Sequence, residues 1–304
     1  MTFAVLCPGQ GAQHSAMLDM ALASPEGRRV VDASADALGE DPRRWAADPS
    51  RLFDNVVAQP LICVAQLAQW HALRHLLPRP AALAGYSVGE LACYGVADAL
   101  DAPALARLAR ERAQAMDSAT TRAGTLAGVR GLARATVARI CKAHGAYVAI
   151  AVDDDVFVVG GLTGAVDEAV ADAQRAGAQV TRLDVGVPSH TPLLGAARGA
   201  FRAALERSPL RAPAATVIAG IDAAPVTTRE RAIDTLSRQV AETIEWSRCV
   251  DALHERGCRV FLELGPGRAL AKTVQARHDD VAARAIEDFR SADAVVRWVA
   301  RQLG

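Results

Sequence analysis

The sequence predicts an α/β protein built on a mainly parallel sheet and interrupted by a smaller inserted unit. Short apolar runs of strand length alternate with amphipathic helical segments through most of the chain, the pattern of a parallel sheet covered by helices. Between Thr125 and Asp184 the rhythm changes to β-α-β-β-α-β, the order of a ferredoxin-like unit. The 304 residues, 51% of them hydrophobic, suffice for one large core carrying a small insertion. The expected organisation is a large domain made of residues 1–122 and 187–304, with the small subdomain at 123–186.

The elements follow in order. Phe3 to Cys7 reads as the first strand, ending in the loop Pro8-Gly9-Gln10-Gly11-Ala12-Gln13. Pro60 to Leu77 reads as a long helix, with Pro60 in its first turn and Pro78 ending it. Ala81 to Ala84 is a short buried strand, and Val88 to Val96 the helix after it. Asp101 caps a helix running to Met116, with Pro103 in the first turn. In the insertion, Thr125 to Arg130 is a strand and Thr136 to Ala143 a helix. Tyr147 to Val152 and Val156 to Gly160 form a hairpin around three aspartates, followed by a helix from Gly164 to Ala176 and a strand from Gln179 to Asp184. Val187 to His190 returns the chain to the large domain, and Val260 to Leu264 is a late strand closed by Gly265-Pro266-Gly267.

Charge and cysteine usage narrow the function classes. The 34 basic and 34 acidic residues cancel, so no global field recruits nucleic acid or an anionic membrane. The six cysteines contain no CxxC pair and most lie in apolar stretches, so they are expected to be reduced and structural. The apolar start halts at Pro8, too short for a signal sequence, and no uninterrupted apolar stretch approaches a membrane span. A cytoplasmic protein is expected, with no metal, because no His, Cys or carboxylate cluster has ligand spacing.

Gly85-Tyr86-Ser87-Val88-Gly89 fits G-x-S-x-G, in which a serine sits on a tight strand-to-helix turn and glycines let neighbouring backbones approach. The strand before it and the helix after it supply the required context, and the large domain is expected to be α/β-hydrolase-like. The following helix places unpaired N–H groups beside the serine, making the Val88 amide a natural oxyanion donor. A serine hydroxyl needs a base. Six of the seven histidines, His14, His71, His75, His144, His254 and His278, lie in polar or helical-surface settings that suit solvated or capping roles. His190 follows Val187-Pro188-Ser189 on the loop leaving the inserted unit, where Pro188 favours the extended backbone of an active-site loop. Both a catalytic and a structural His190 fit the residues alone.

Arg112 falls in phase with the apolar stripe Leu105, Leu108, Ala109 and Met116, so it points inward. An inward guanidinium needs an anionic partner or a wet cavity. Three readings follow: an internal ion pair with a residue such as Glu90, snorkelling to the surface, or a bidentate clamp for a substrate carboxylate. Arg107 and Arg110 sit off the stripe and read as solvated.

Together, the Pro8 to Gln13 loop, Gln59-Pro60, Gly85 to Glu90, Arg112, Val187-Pro188-Ser189-His190 and Glu263-Leu264-Gly265-Pro266-Gly267 resemble the malonyl-CoA:acyl carrier protein transacylase family. The resemblance spans nearly the whole chain. It implies Ser87 as nucleophile, His190 as general base oriented by a backbone carbonyl, Arg112 on the free malonyl carboxylate, and the Gln10 and Val88 amides as oxyanion hole. Gln59 is placed among the substrate-binding residues. It further implies malonyl-CoA as substrate, coenzyme A as product, no bound cofactor, and a carrier protein with a phosphopantetheine-type arm as acceptor.

Three positions depart from the pattern common in fatty-acid synthesis: Tyr86 for histidine, Asp153 for asparagine and Glu245 for glutamine. With Ser189 to Leu194, the Gly-Tyr-Ser-Val-Gly-Glu form resembles the epsilon subunit of bacterial malonate decarboxylase. That implies transfer to a carrier subunit bearing a phosphoribosyl-dephospho-CoA arm. By charge, Arg198, Arg202, Arg268 and Lys272 are candidates for meeting an acidic carrier or the phosphates of the arm, and each reads by default as a solvated surface charge. The alternative within the class is the housekeeping transacylase. Outside it stand a serine hydrolase using a late His254 or His278, and a non-catalytic scaffold subunit, against which the retained Ser87, His190 and Arg112 argue.

Overall fold

The computed structural model describes residues 2–304. The chain starts with β1 (Thr2–Cys7), then α1 (Asp19–Leu22), α2 (Pro25–Leu38), α3 (Pro42–Ala46), α4 (Asn55–Leu73), β2 (Ala82–Gly85), α5 (Val88–Val96) and α6 (Ala102–Ala119). The inserted run is β3 (Gly124–Arg130), α7 (Arg134–His144), β4 (Tyr147–Ala151), β5 (Val156–Leu162), α8 (Thr163–Arg175) and β6 (Gln179–Leu183). The chain ends with α9 (Gly195–Arg207), β7 (Thr216–Ile218), β8 (Pro225–Val226), α10 (Arg229–Gln239), β9 (Ile244–Glu245), α11 (Trp246–Glu255), β10 (Cys258–Glu263), α12 (Ala269–Arg277), β11 (Ala282–Ala285) and α13 (Ala292–Leu303).

Six strands form the large sheet in the order β11-β10-β1-β2-β7-β8. All of its pairings are parallel except β7 with β8 at one edge. Both faces are covered, as a parallel sheet requires. Along β1, Phe3, Val5 and Cys7 enter one core and Ala4 and Leu6 the other, so period-two alternation divides an almost wholly apolar strand between two helical layers.

The second sheet has the order β6-β3-β5-β4-β9. Its first four strands pair antiparallel in the ferredoxin-like arrangement, and α7 and α8 pack against them through Val137, Ile140, Val166 and Val170. The fifth strand comes from outside the inserted run: Ile244 and Glu245 of β9 pair in parallel with Ile150 and Ala151 of β4. The β4 edge is thereby paired, and backbone hydrogen bonds tie a segment from outside the inserted run into the second sheet.

Local sequence signals explain most boundaries. Asp101 caps α6 by accepting from the Ala104 amide at 2.8 Å, and α6 runs one turn beyond the expected Met116 because Thr120 Oγ1 bonds the Met116 carbonyl. The long helix α4 differs from expectation. It begins at Asn55, so Pro60 lies inside its second turn and cannot donate to the carbonyl of the exposed Val56. Burial of nearly every residue from Val57 to Leu73 holds this turn together against the proline. By length and composition α4 is apolar enough to cross a membrane, but 89% of that window is buried in this fold, where it is the central core helix. The helix α2 was not anticipated, although Ser24 caps it, Pro25 occupies its first position and Gly39 ends it in the left-handed conformation.

Candidate active site

The nucleophile turn is built by close backbone approach. Ser87 adopts φ 56° and ψ −122° between β2 and α5, a conformation that the flanking glycines make possible. A Cβ at Gly89 would run into the Cys7 carbonyl, and one at Gly85 into the backbone of Glu90. Gly9 lies against the Tyr86 carbonyl and the Ser87 side chain, which brings the Pro8 to Gln13 loop alongside the serine. Val88 is the first residue of α5, so its N–H has no helical acceptor.

Ser87 Oγ lies 2.8 Å from Nε2 of His190. His190 is itself in the left-handed region, at φ 61°, and its N–H donates to the Val240 carbonyl at 3.0 Å. Its Nδ1 is 2.6 Å from the Gln239 carbonyl. A carbonyl only accepts, so Nδ1 carries the hydrogen and Nε2 offers its lone pair to the serine hydroxyl. His190 is 2% exposed, and burial, reinforced by the Arg112 cation, pulls its pKa down to about 3 while the Gln239 carbonyl acts in the opposite direction. The imidazole is therefore neutral at physiological pH, the state a general base needs.

Arg112 is 1% exposed, so it does not snorkel. No carboxylate bonds it directly. Its Nη1 donates to Gln59 Oε1 at 2.8 Å and its Nη2 to Gln239 Oε1 at 2.9 Å, while Nε has no partner. Burial lowers its pKa to about 10, so it remains cationic. Glu90, expected as a possible direct ion-pair partner, is reached only through Gln239, whose Nε2 donates to Glu90 Oε2 at 2.6 Å. Gln59 is fully buried, and its Nε2 donates to Asn55 Oδ1 at 2.7 Å, so it meets the guanidinium through Oε1 alone.

Gln239 is the member of the site that the sequence reading missed. It joins His190 through its carbonyl, Arg112 through its Oε1, and Glu90 and the Ser87 carbonyl through its Nε2. A signal was present: Gln239 follows Ala232 and Leu236 on the buried stripe of α10, where an amide needs polar partners.

The remaining expected residues sort by their contacts. Gln10 is exposed on the loop beside Ser87 and lines a cavity of about 320 Å³ with Tyr86, Trp246 and Glu263. Tyr86 packs edge-on against Trp246, with ring centroids 5.6 Å apart, and burial raises its hydroxyl pKa. Glu245 is held by both terminal nitrogens of Arg134, and Asp153 by Arg277 at 2.5 Å. Arg110 is not simply solvated, since it donates to the Leu38 carbonyl at 2.8 Å and covers the Trp45 ring. Arg198, Arg202 and Arg268 are paired with Glu242, Glu206 and Asp288, whereas Lys272 is exposed and makes no ion pair among the described residues.

The late histidines do not reach the serine. His254 and His278 stack at 3.9 Å and turn their Nε2 atoms to Asp280 and Asp251. Folding brings His254, His278 and Asp280 within metal-ligand range of one another, a grouping that sequence spacing did not reveal, but Arg259 already neutralises Asp280 at 2.7 Å. All six cysteines are free and buried.

Comparisons with known proteins show the family. Residues 4–299 match the acyl transferase domain family. The chain is 30% identical to the malonyl CoA-acyl carrier protein transacylase of Haemophilus influenzae, over 98% of this chain and 99% of that protein. It is also 30% identical to the protein of the same name from Escherichia coli K12, over 94% and 96%. Among solved structures, the malonyl CoA-acyl carrier protein transacylase of Coxiella burnetii superposes with a TM-score of 0.95 at 26% identity, covering 100% of this chain and 98% of that one. A malonyl-transacylase solved in complex with its type II PKS acyl-carrier protein superposes at 0.93 and 26% identity, covering 98% and 99%. With a matched segment that takes in both sheets and every residue of the Ser87 site, the chain belongs to the acyl transferase domain family and is an acyltransferase.

Proposed function

We propose that this enzyme transfers malonyl from malonyl-CoA to the thiol of an acyl carrier protein through a malonyl-Ser87 ester. The observation that carries the reading is the Ser87–His190 pair at 2.8 Å beside a buried Arg112 that retains unbonded N–H donors. A desolvated guanidinium with free N–H donors favours an acyl group that brings its own carboxylate.

Ser87 Oγ attacks the thioester carbonyl carbon and its proton passes to His190 Nε2. The Val88 and Gln10 amides receive the oxyanion. The tetrahedral intermediate collapses, the C–S bond breaks, and the departing coenzyme A sulfur takes the proton from Nε2. The carrier thiol then gives its proton to Nε2 and attacks the serine ester, and Ser87 leaves with that proton. The Gln239 carbonyl, on Nδ1–H, stabilises the imidazolium formed in each half-reaction. Arg112 holds the malonyl carboxylate throughout. Every step moves a proton or an acyl group.

The named relatives support an acyl carrier protein of the fatty-acid-synthesis kind over the malonate decarboxylase carrier suggested by Tyr86 and the Ser189 to Leu194 segment. We place the reaction in the cytoplasm, a reading supported by six unpaired thiols. We also assign residues 1–122 and 187–304 to the large unit and 123–186 to the small one. The His190 loop then leaves the small unit directly into the site.

The test is intact mass after incubation with malonyl-CoA. A single malonyl adduct on the wild type, absent from a folded Ser87→Ala protein, is the expected result. An adduct that persists without the serine rejects the mechanism.

A further inference from the structure

We propose that Glu90 is a positioning residue for acyl-group selection, acting through the orientation of the Gln239 side-chain amide on Arg112. This rests on the malonyl reading above and names a determinant of its specificity. Glu90 is fully buried on the first turn of α5. Its Oε2 accepts from the Gly220 N–H at 2.9 Å and from Gln239 Nε2 at 2.6 Å. Residue 220 must be small for this, since a Cβ there would lie 2.8 Å from Glu90 Oε2.

A glutamine amide has one acceptor and two donor hydrogens, and only its partners decide which way it faces. Here Nε2 meets two acceptors, Glu90 Oε2 and the Ser87 carbonyl at 3.1 Å. Oε1 is thereby turned to Arg112 Nη2 at 2.9 Å. The opposite orientation would set the amide hydrogens against the guanidinium and its oxygen against a carboxylate and a carbonyl. Removing Glu90 removes the stronger of the two acceptors that forbid it.

The guanidinium is aimed by two amide oxygens, Gln59 Oε1 on Nη1 and Gln239 Oε1 on Nη2. Its Nε–H and one hydrogen on each terminal nitrogen are left for an incoming carboxylate. If Gln239 turns over, Arg112 loses one of its two supports and faces a donor instead. The backbone carbonyl of Gln239, which orients His190, is unaffected by a turn of its side chain. The consequence is selective: carboxylate-bearing acyl groups lose their anchor while the Ser87–His190 chemistry persists. Burial brings the Glu90 carboxyl to about 7, but the added proton has Oε1 to occupy, the oxygen without a partner, so Oε2 accepts in both states.

The experiment compares malonyl-CoA with acetyl-CoA as donors for wild type, Glu90→Leu, Glu90→Gln and Gly220→Ala, with folding checked by circular dichroism. Glu90→Leu and Gly220→Ala, whose added Cβ would meet Glu90 Oε2 at 2.8 Å, should lose about tenfold or more in kcat/KM for malonyl-CoA, chiefly in KM, with acetyl transfer within about threefold of wild type. Glu90→Gln, whose oxygen still accepts both bonds, should recover most of the malonyl preference. Equal losses for both donors, or a Glu90→Gln protein no better than Glu90→Leu, overturn the proposal. Should Glu90→Leu fail to fold, Gly220→Ala decides the question, because it displaces Glu90 Oε2 while leaving Glu90 and Gln239 in place, and equal losses for both donors there overturn the proposal. A wild type that does not prefer malonyl-CoA would reject the function reading itself, a result separate from these.

Discussion

The backbone carbonyl of Gln239 accepts a 2.6 Å hydrogen bond from His190 Nδ1 while the side chain of the same residue accepts one from Arg112 at 2.9 Å. The base and the buried cation are thus mounted on one residue at the end of α10. A substitution there reaches the cation through the side chain and the base only through the backbone.

Arg112→Ala should therefore separate acyl groups. Losing one partner of a buried charged pair costs ~2–5 kcal/mol, so malonyl transfer should fall at least about thirtyfold. Acetyl transfer, which brings no second carboxylate, should fall far less. Steady-state kinetics with both donors decide this, and parallel losses would assign Arg112 to folding alone.

The pH dependence should show the same coupling. His190 is kept neutral by burial and by Arg112, which bring its pKa to about 3. The acid limb of kcat/KM, which reports the free enzyme, should lie well below the ordinary histidine value of about 6.5. A bound malonyl carboxylate offsets the Arg112 charge and favours the imidazolium, so the acid limb of kcat should lie at higher pH than that of kcat/KM. Coincident limbs near about 6.5 would mean that His190 is solvated and uncoupled from Arg112.

Gly89→Ala tests the nucleophile turn. The added methyl meets the Cys7 carbonyl, a backbone group fixed in β1, so overpacking should cost ~1–3 kcal/mol in denaturant unfolding and reduce activity through displacement of Ser87. An unchanged midpoint with full activity would show that the close approach of β1 to α5 is not required.

For the carrier, the expected order of kcat/KM at low salt is the fatty-acid acyl carrier protein above the malonate decarboxylase carrier subunit. Three of the four candidate carrier contacts are already paired with acids, which leaves Lys272 as the one of that set without an ion pair among the described residues. Lys272→Glu should slow carrier association at low salt and matter little at high salt, because rim charges act on the encounter rate and are screened. If the decarboxylase carrier is the better acceptor, the resemblance carried by Tyr86 and the Ser189 to Leu194 segment takes precedence.

Much of this protein is determined by short stretches read alone. The strand, turn and helix around Ser87 lie within fifteen residues and obey local steric rules, so the elbow is legible without a structure. The inward face of Arg112 follows from helical period, and β-α-β-β-α-β order from the alternation of hydrophobic patterns. What only the tertiary structure decided are the partners: Gln239 on Arg112 across 127 residues, β9 on the edge of β4, and Glu90 two hydrogen bonds from the cation that one of the three readings paired with it directly. Hydrophobic periodicity states which side faces the core but carries no information about which polar group waits there. Hydrogen bonds are short-ranged and directional, so their partners exist only once distant segments have been packed into place.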